Sequence, residues 1–175
     1  MKHLNQYKND SFDLKALPLY ITEYIIKKKL DTPIDSEDHY ECYPKTKQEL
    51  IDNIKELFDK GETNLNCIDT SKITDMSNLF NEVKDIHKFN FDVSRWDVSN
   101  IKDMTCMFGN CVKFKGKGLE NWNVSKAEYM IRMFIGCDNF TGEQIENWKI
   151  KKDCSKFEML SNCKNIKNMP SWYKE

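Results

Sequence analysis

The sequence predicts an α/β repeat solenoid, in which each coil is a short strand plus a short helix and an α-helical cap closes the N-terminal side. Three observations predict it. Trp96, Trp122 and Trp148 stand 26 residues apart, and whole blocks of neighbours keep the same beat. Within one beat the apolar pattern changes from a period of two to a helical spacing. Ahead of the repeats lies a single strongly amphipathic segment, residues 46–60.

The repeat comes first, because a fixed period of about 20–50 residues decides the architecture. Cys111, Cys137 and Cys163 keep the 26-residue spacing, as do Met107, Met133 and Met159. Phe108 and Phe134 are followed by Leu160, and Phe114 and Phe140 by Ile166, at the same phase. An earlier copy precedes these at a 28-residue step, with Ser71, Ile73, Met76 and Phe80 answering Ser99, Ile101, Met104 and Phe108. Four copies result: 68–95, 96–121, 122–147 and 148–173.

Inside a copy, Phe89, Phe91 and Val93 alternate with Asn90, Asp92 and Ser94, which predicts a short strand with one buried face. Met104, Met107 and Phe108, and again Met130, Met133 and Phe134, fall at i, i+3 and i+4, which predicts one short helical turn. Ser99 and Ser125 stand where a helix start needs a side-chain oxygen, and Gly109 and Gly136 where a helix stops. Strand, turn and short helix in one beat make a leucine-rich-repeat-like coil, stacked at about 4.8 Å per turn. Equal phases then become neighbouring rungs. The Met, Phe and Cys columns are therefore expected to be core, and Val83 in the cysteine slot of the first copy favours packing over metal ligation.

Residues 46–67 are expected to supply the capping helix and first strand. Thr46 and Glu49 form a capping box, Leu50, Ile51, Ile54, Leu57 and Phe58 form the apolar stripe, and Gly61 ends the helix. This helix is expected to cover the exposed edge of the first coil at Leu65–Asp69. Residues 1–45 read as an N-terminal arm and linker. A helix is expected over 11–30, with Pro18 in its first turn, and an acidic linker over 31–39.

Residues 73–80 (ITDMSNLF), 96–108 (WDVSNIKDMTCMF) and 122–134 (WNVSKAEYMIRMF) resemble the BspA-like leucine-rich repeats, the DUF285 family. The resemblance covers roughly 60% of the chain and implies a leucine-rich-repeat-like scaffold used for recognition. Many members of that family are surface proteins, and the family implies no catalytic residue. The last copy departs from the pattern, with Lys151 in place of Ser and Lys156 in place of the first Met, as expected of a C-terminal cap.

Function is expected at the surface. The net charge of −1 argues against a nucleic-acid binder, which usually shows a basic face, and no apolar run is long enough to span a bilayer. His3, His39 and His87 lie outside the repeating phases, and glycine-rich phosphate loops and HExxH motifs are missing. No enzyme activity, cofactor or metal is expected. The seven cysteines, odd in number and without a CxxC pair, read as reduced thiols of a cytoplasmic protein, with the cell surface as the alternative. The expected partner is another protein bound by a monomer, either as an inhibitor or immunity-type protein or as an adhesin. The expected contact residues flank the tryptophans: Asp92, Ser94, Glu120, Gln144 and Glu146 before them, Asp97 and Asn123 after them.

Overall fold

A computed structural model describes residues 40–173. The chain divides into two compact units, Met1–Glu41 and Cys42–Glu175, and the account below concerns the second. The expected helix over 11–30, the linker over 31–39, His3 and His39 lie outside the described residues.

The capping helix forms as its sequence dictates. Helix α1 spans Lys47–Asp59. Thr46 is its N-cap, with the hydroxyl accepting from the Glu49 N–H at 3.2 Å, while the Glu49 carboxylate reaches back to the Lys45 N–H at 2.6 Å. Leu50, Ile51, Ile54 and Phe58 are buried. Gly61, at φ +80°, ends the helix in a Schellman motif: its N–H donates to the Phe58 carbonyl and the Glu62 N–H to the Leu57 carbonyl, each at 2.9 Å. The helix takes the place of a coil. Cys42 bridges to Ile68 at the 26-residue spacing, and Leu50 and Ile54 precede Met76 and Phe80 by the same 26. The Phe58 ring lies 4.8 Å from that of Phe89 and 6.0 Å from that of Phe91.

The repeats themselves are not an α/β solenoid, and this corrects the expectation. Among the described residues α1 is the one α-helix, and no sheet forms. The expected strand over 89–94 shrinks to one isolated parallel bridge, Asn64 to Asp92, and the further single bridges, Asp75 to Asp103, Asp103 to Tyr129 and Tyr129 to Ser155, fall where a helical turn is expected to begin. The chain cannot stay extended beyond one bridged residue, because the Asp92 carboxylate accepts the Ser94 N–H at 3.0 Å and turns it. Phe91 and Val93 still point inward, as the alternation requires.

The expected helical turn is replaced by a run of overlapping β-turns. In the second copy the N–H groups of Met107, Gly109 and Cys111 donate to the carbonyls of Met104, Cys106 and Phe108, three residues back. The alternate N–H groups leave the coil: Met104, Cys106, Phe108 and Asn110 donate to Tyr129, Ile131, Met133 and Ile135 of the next copy at 2.7–2.9 Å. An α-helix would keep all of these bonds within its own coil. The third copy repeats the row from Met130, Arg132, Phe134 and Gly136 to Ser155, Phe157, Met159 and Ser161. The geometry requires left-handed residues. Asn78, Cys106, Arg132 and Glu158 occupy one such phase, and Asn110, Gly136 and Asn162 a second. Gly136 thus serves the turn run, not a helix stop.

The core is the stack of equal phases. Met76, Met104 and Met130, then Phe80, Phe108 and Phe134, are fully buried. The Phe108 ring stacks at 5.3 Å on Phe80 and 5.2 Å on Phe134, pairs worth about 0.5–1.5 kcal/mol each beyond their burial. Each tryptophan fastens its coil to the one before: the indole N–H of Trp96, Trp122 and Trp148 donates to the carbonyl of Leu65, Val93 and Leu119. Trp172 continues the series with a 2.8 Å bond to the Ile145 carbonyl. Gly118, at φ +88°, lets the chain pass against Ser94, whose Cβ would lie 2.1 Å from an added Cβ.

Candidate interaction surface

The side chains that could carry chemistry fall into three groups: turn builders, buried thiols and an outward row whose character changes along the stack. The turn builders are Asp or Asn residues two before a Ser, Thr or Asn. The side-chain oxygens of Asn64, Asp69, Asp75, Asp92, Asp97, Asp103 and Asn123 accept the backbone N–H two residues on. These Asx turns supply the coil corners.

This decides how much of the expected contact stripe is available. Asp97 and Asn123 are exposed but hold the N–H groups of Ser99 and Ser125. Asp92 holds the Ser94 N–H and pairs with Lys117, and the Ser94 hydroxyl accepts from the Asn66 amide at 3.2 Å. Partial burial pushes the Asp92 carboxyl up, but bonds from Lys117, Ser94 and Asn66 outweigh it and hold the group well below the usual carboxylate range. Gln144 is half-buried beside Thr141, and Glu146 accepts the Ser171 N–H through both oxygens at 3.2 Å. Glu120 is exposed. Asn123 and Lys149 line a shallow depression of about 310 Å³ together with Asn121 and Asn147, a pair 26 residues apart that the repeat phases could have revealed. Glu146 lines a different one, of about 360 Å³, with Asn147 and Met169.

The thiol column faces inward. The Cys137 and Cys163 thiols donate to the carbonyls of Phe108 and Phe134 at 2.9 and 3.0 Å. Burial pushes the thiols of Cys111 and Cys137 far above their ordinary value and that of Cys163 to about 11. They stay protonated at neutral pH, the form that is neither a nucleophile nor a metal ligand. Among the described residues no group of three His, Cys, Asp or Glu is placed to hold a metal ion, and no helix is long and apolar enough to cross a membrane.

The third group runs along the outer side of the turn arcs. In the first two copies the bridged residue and its second neighbour are polar, Asp75 with Ser77 and Asp103 with Thr105. In the third and fourth copies the same phases hold Tyr129 with Ile131, and Ser155 with Phe157. Tyr129 is 47% exposed and Phe157 64%, whereas most of the other aromatic rings among the described residues are core. Ile131 and Phe157 are neighbouring rungs, joined through the bond from the Arg132 N–H to the Phe157 carbonyl, and the Arg132 guanidinium pairs with Glu158 at 2.6 Å beside them. Outward polar positions, the pattern that marks the expected stripe, do not single this row out. The loss of the Asp-x-Ser/Thr pattern after the second copy was the available signal.

The repeat geometry and the matching family profile agree on extent. A profile described as "Mycoplasma protein of unknown function, DUF285" matches residues 50–172, from the first turn of α1 to Trp172. The chain belongs to the DUF285 family. No curated protein and no solved structure matches it. The DUF285 match takes in α1 as well as the four copies, which agrees with the helix standing in for a coil.

Proposed function

We propose that the DUF285 region is a non-enzymatic protein-recognition module with repeats of the BspA-like kind, and that it binds its partner through the outer side of the last two turn arcs. The apolar row of exposed Tyr129 and Phe157 with half-buried Ile131 between them carries this reading. A large side chain in water at a phase that elsewhere holds an Asx turn gives up a local hydrogen bond and exposes apolar surface. Neither change helps the isolated chain, and both help an interface, where aromatic anchors supply most of the binding energy. The paired Arg132 and Glu158 give the row a polar rim. The commitment of Asp92, Asp97 and Asn123 to turns, and of the cysteines to the core, leaves little exposed chemistry for a reaction.

The test is capture of partners from the native organism by the full chain and by two variants. Phe157→Asp should abolish recovery of the partner while leaving the circular dichroism spectrum intact. Glu120→Lys, on the stripe that the sequence favoured, should leave recovery unchanged. Loss of the partner with Glu120→Lys and retention with Phe157→Asp would move the site back to that stripe.

A further inference from the structure

Within the turn arcs the alternate N–H groups all point forward, while just ahead of them Lys102, Tyr129 and Ser155 donate back to the carbonyls of Thr74, Lys102 and Glu128. Each arc donates alternate N–H groups to carbonyls of the arc that follows, from the first copy to the second, the second to the third and the third to the fourth. Among the described residues the fourth arc meets no such acceptor, and the N–H groups of Lys156, Glu158, Leu160 and Asn162, which hold the donor phase, make no hydrogen bond. Leu160 is buried, at 2% exposure, so the edge that another chain can reach is formed by Lys156, Glu158 and Asn162.

The surroundings of that edge identify its complement. The copy spanning 148–173 carries six lysines against Asp153 and Glu158, a balance of 6 − 2 = +4, whereas the copy before it, 122–147, has Lys126 and Arg132 against four acidic residues, 2 − 4 = −2. Lys149, Lys151, Lys152, Lys164 and Lys167 are exposed. Exposed Phe157 lies within the edge arc, and Met169 is 54% exposed. The complement is thus a chain that offers carbonyls at alternate residues, negative charge and an apolar side chain. The protein itself shows that polypeptide fills such a row, since the carbonyls of Ser155, Phe157, Met159 and Ser161 do so one copy earlier. A second copy of the chain fits less well. The carbonyl side of its first arc faces α1, whose Lys47 bonds to Asp75 and Ser77 there.

We infer that the C-terminal edge captures an acidic, extended segment of a protein partner, which adds itself as the next rung by accepting from the N–H groups of Lys156, Glu158 and Asn162. The inference rests on the protein-recognition reading above and deepens it by naming what the partner presents. Backbone bonds provide the register, and the lysines and Phe157 provide the selectivity.

The experiment titrates the full chain with a blocked fluorescent peptide of alternating glutamate and valine, follows anisotropy, and measures amide exchange at the three edge positions. In the free chain these amides should exchange fast, while those of Met104, Cys106 and Phe108 are protected. The peptide should bind at least about tenfold more tightly than its lysine–valine counterpart, lose affinity as salt rises, and protect the three edge amides. The double variant Lys151→Glu/Lys152→Glu, changed only at exposed side chains, should weaken binding by a similar factor. Four outcomes overturn the inference: no binding, binding without protection of the edge amides, tighter binding of a single-stranded oligonucleotide, or edge amides already protected in the free chain. The last would mean that the edge is filled by this chain's own residues or, if the protection depends on concentration, by a second copy. A native partner that depends on Phe157 but leaves the edge amides unprotected would sink the edge inference alone, and a partner indifferent to Phe157 would sink the recognition reading as well.

Discussion

The two ends of the repeat stack solve the same problem differently. At the N-terminal end α1 replaces a coil, keeps its own N–H groups bonded within the helix, and lays Leu50, Ile54 and Phe58 against the first copy. At the C-terminal end the fourth copy keeps the turn-built arc and ends in unpaired N–H groups, with Trp172 as the last element fastened to the stack. A helix can close a row because it needs no neighbour for its backbone, whereas a turn-built arc satisfies only half of its own donors. The difference locates adhesiveness at one end.

Breaking the two ends should therefore cost unequal amounts. Ile54→Ala leaves a cavity at a fully buried site of the closed end and should lower the unfolding free energy by about 2–5 kcal/mol, read from urea denaturation. Trp172→Ala, at a half-buried site with one indole bond, should cost about 1–3 kcal/mol. Equal losses would mean that both ends are closed alike. Thr46→Ala removes the α1 cap and should cost about 1 kcal/mol. Between the ends, Cys106→Gly should sharpen the account of the arcs. Cys106 is left-handed at φ +52°, which costs a residue with a Cβ about 1–2 kcal/mol, so glycine there should stabilise the protein by about 0.5–1 kcal/mol despite its extra freedom when unfolded. A loss of stability would show that the thiol packs more than the backbone is strained.

The smallest effect concerns pH. The Asp92 carboxyl titrates lower in the folded chain than in the unfolded one, so the unfolded state binds its proton first as pH falls. Its contribution is complete above the unfolded value of about 4 and fades as pH drops below that toward the folded value. Asp92→Asn should thus be less stable than the parent at neutral pH, and the gap should close in acid. A constant gap from neutral pH to pH 3 would remove the charged pair with Lys117 from the account.

What could be read in the sequence was whatever is local or strictly periodic. The 26-residue beat, the core phases and the caps of α1 all follow from covalent spacing and from how apolar and capping residues repeat, and each reappears in the structure at the expected residue. The polar stripe was read from alternation alone. Alternation shows which side chains face outward, but not that Asp92, Asp97 and Asn123 spend their oxygens on turns. The spacing of Met104, Met107 and Phe108 suits a helical turn and a pair of β-turns equally, since both bring residues three apart to one side. The neighbouring copy decided between them. Once it offers a row of carbonyls, alternate N–H groups bond across to it, Cys106 and Asn110 go left-handed, and helix and sheet both give way to linked turns. The phases of Trp96, Trp122 and Trp148 were thus fixed by the chain itself. The direction in which each arc points its donors, and hence the open edge at Lys156–Asn162, exists only when copies are stacked.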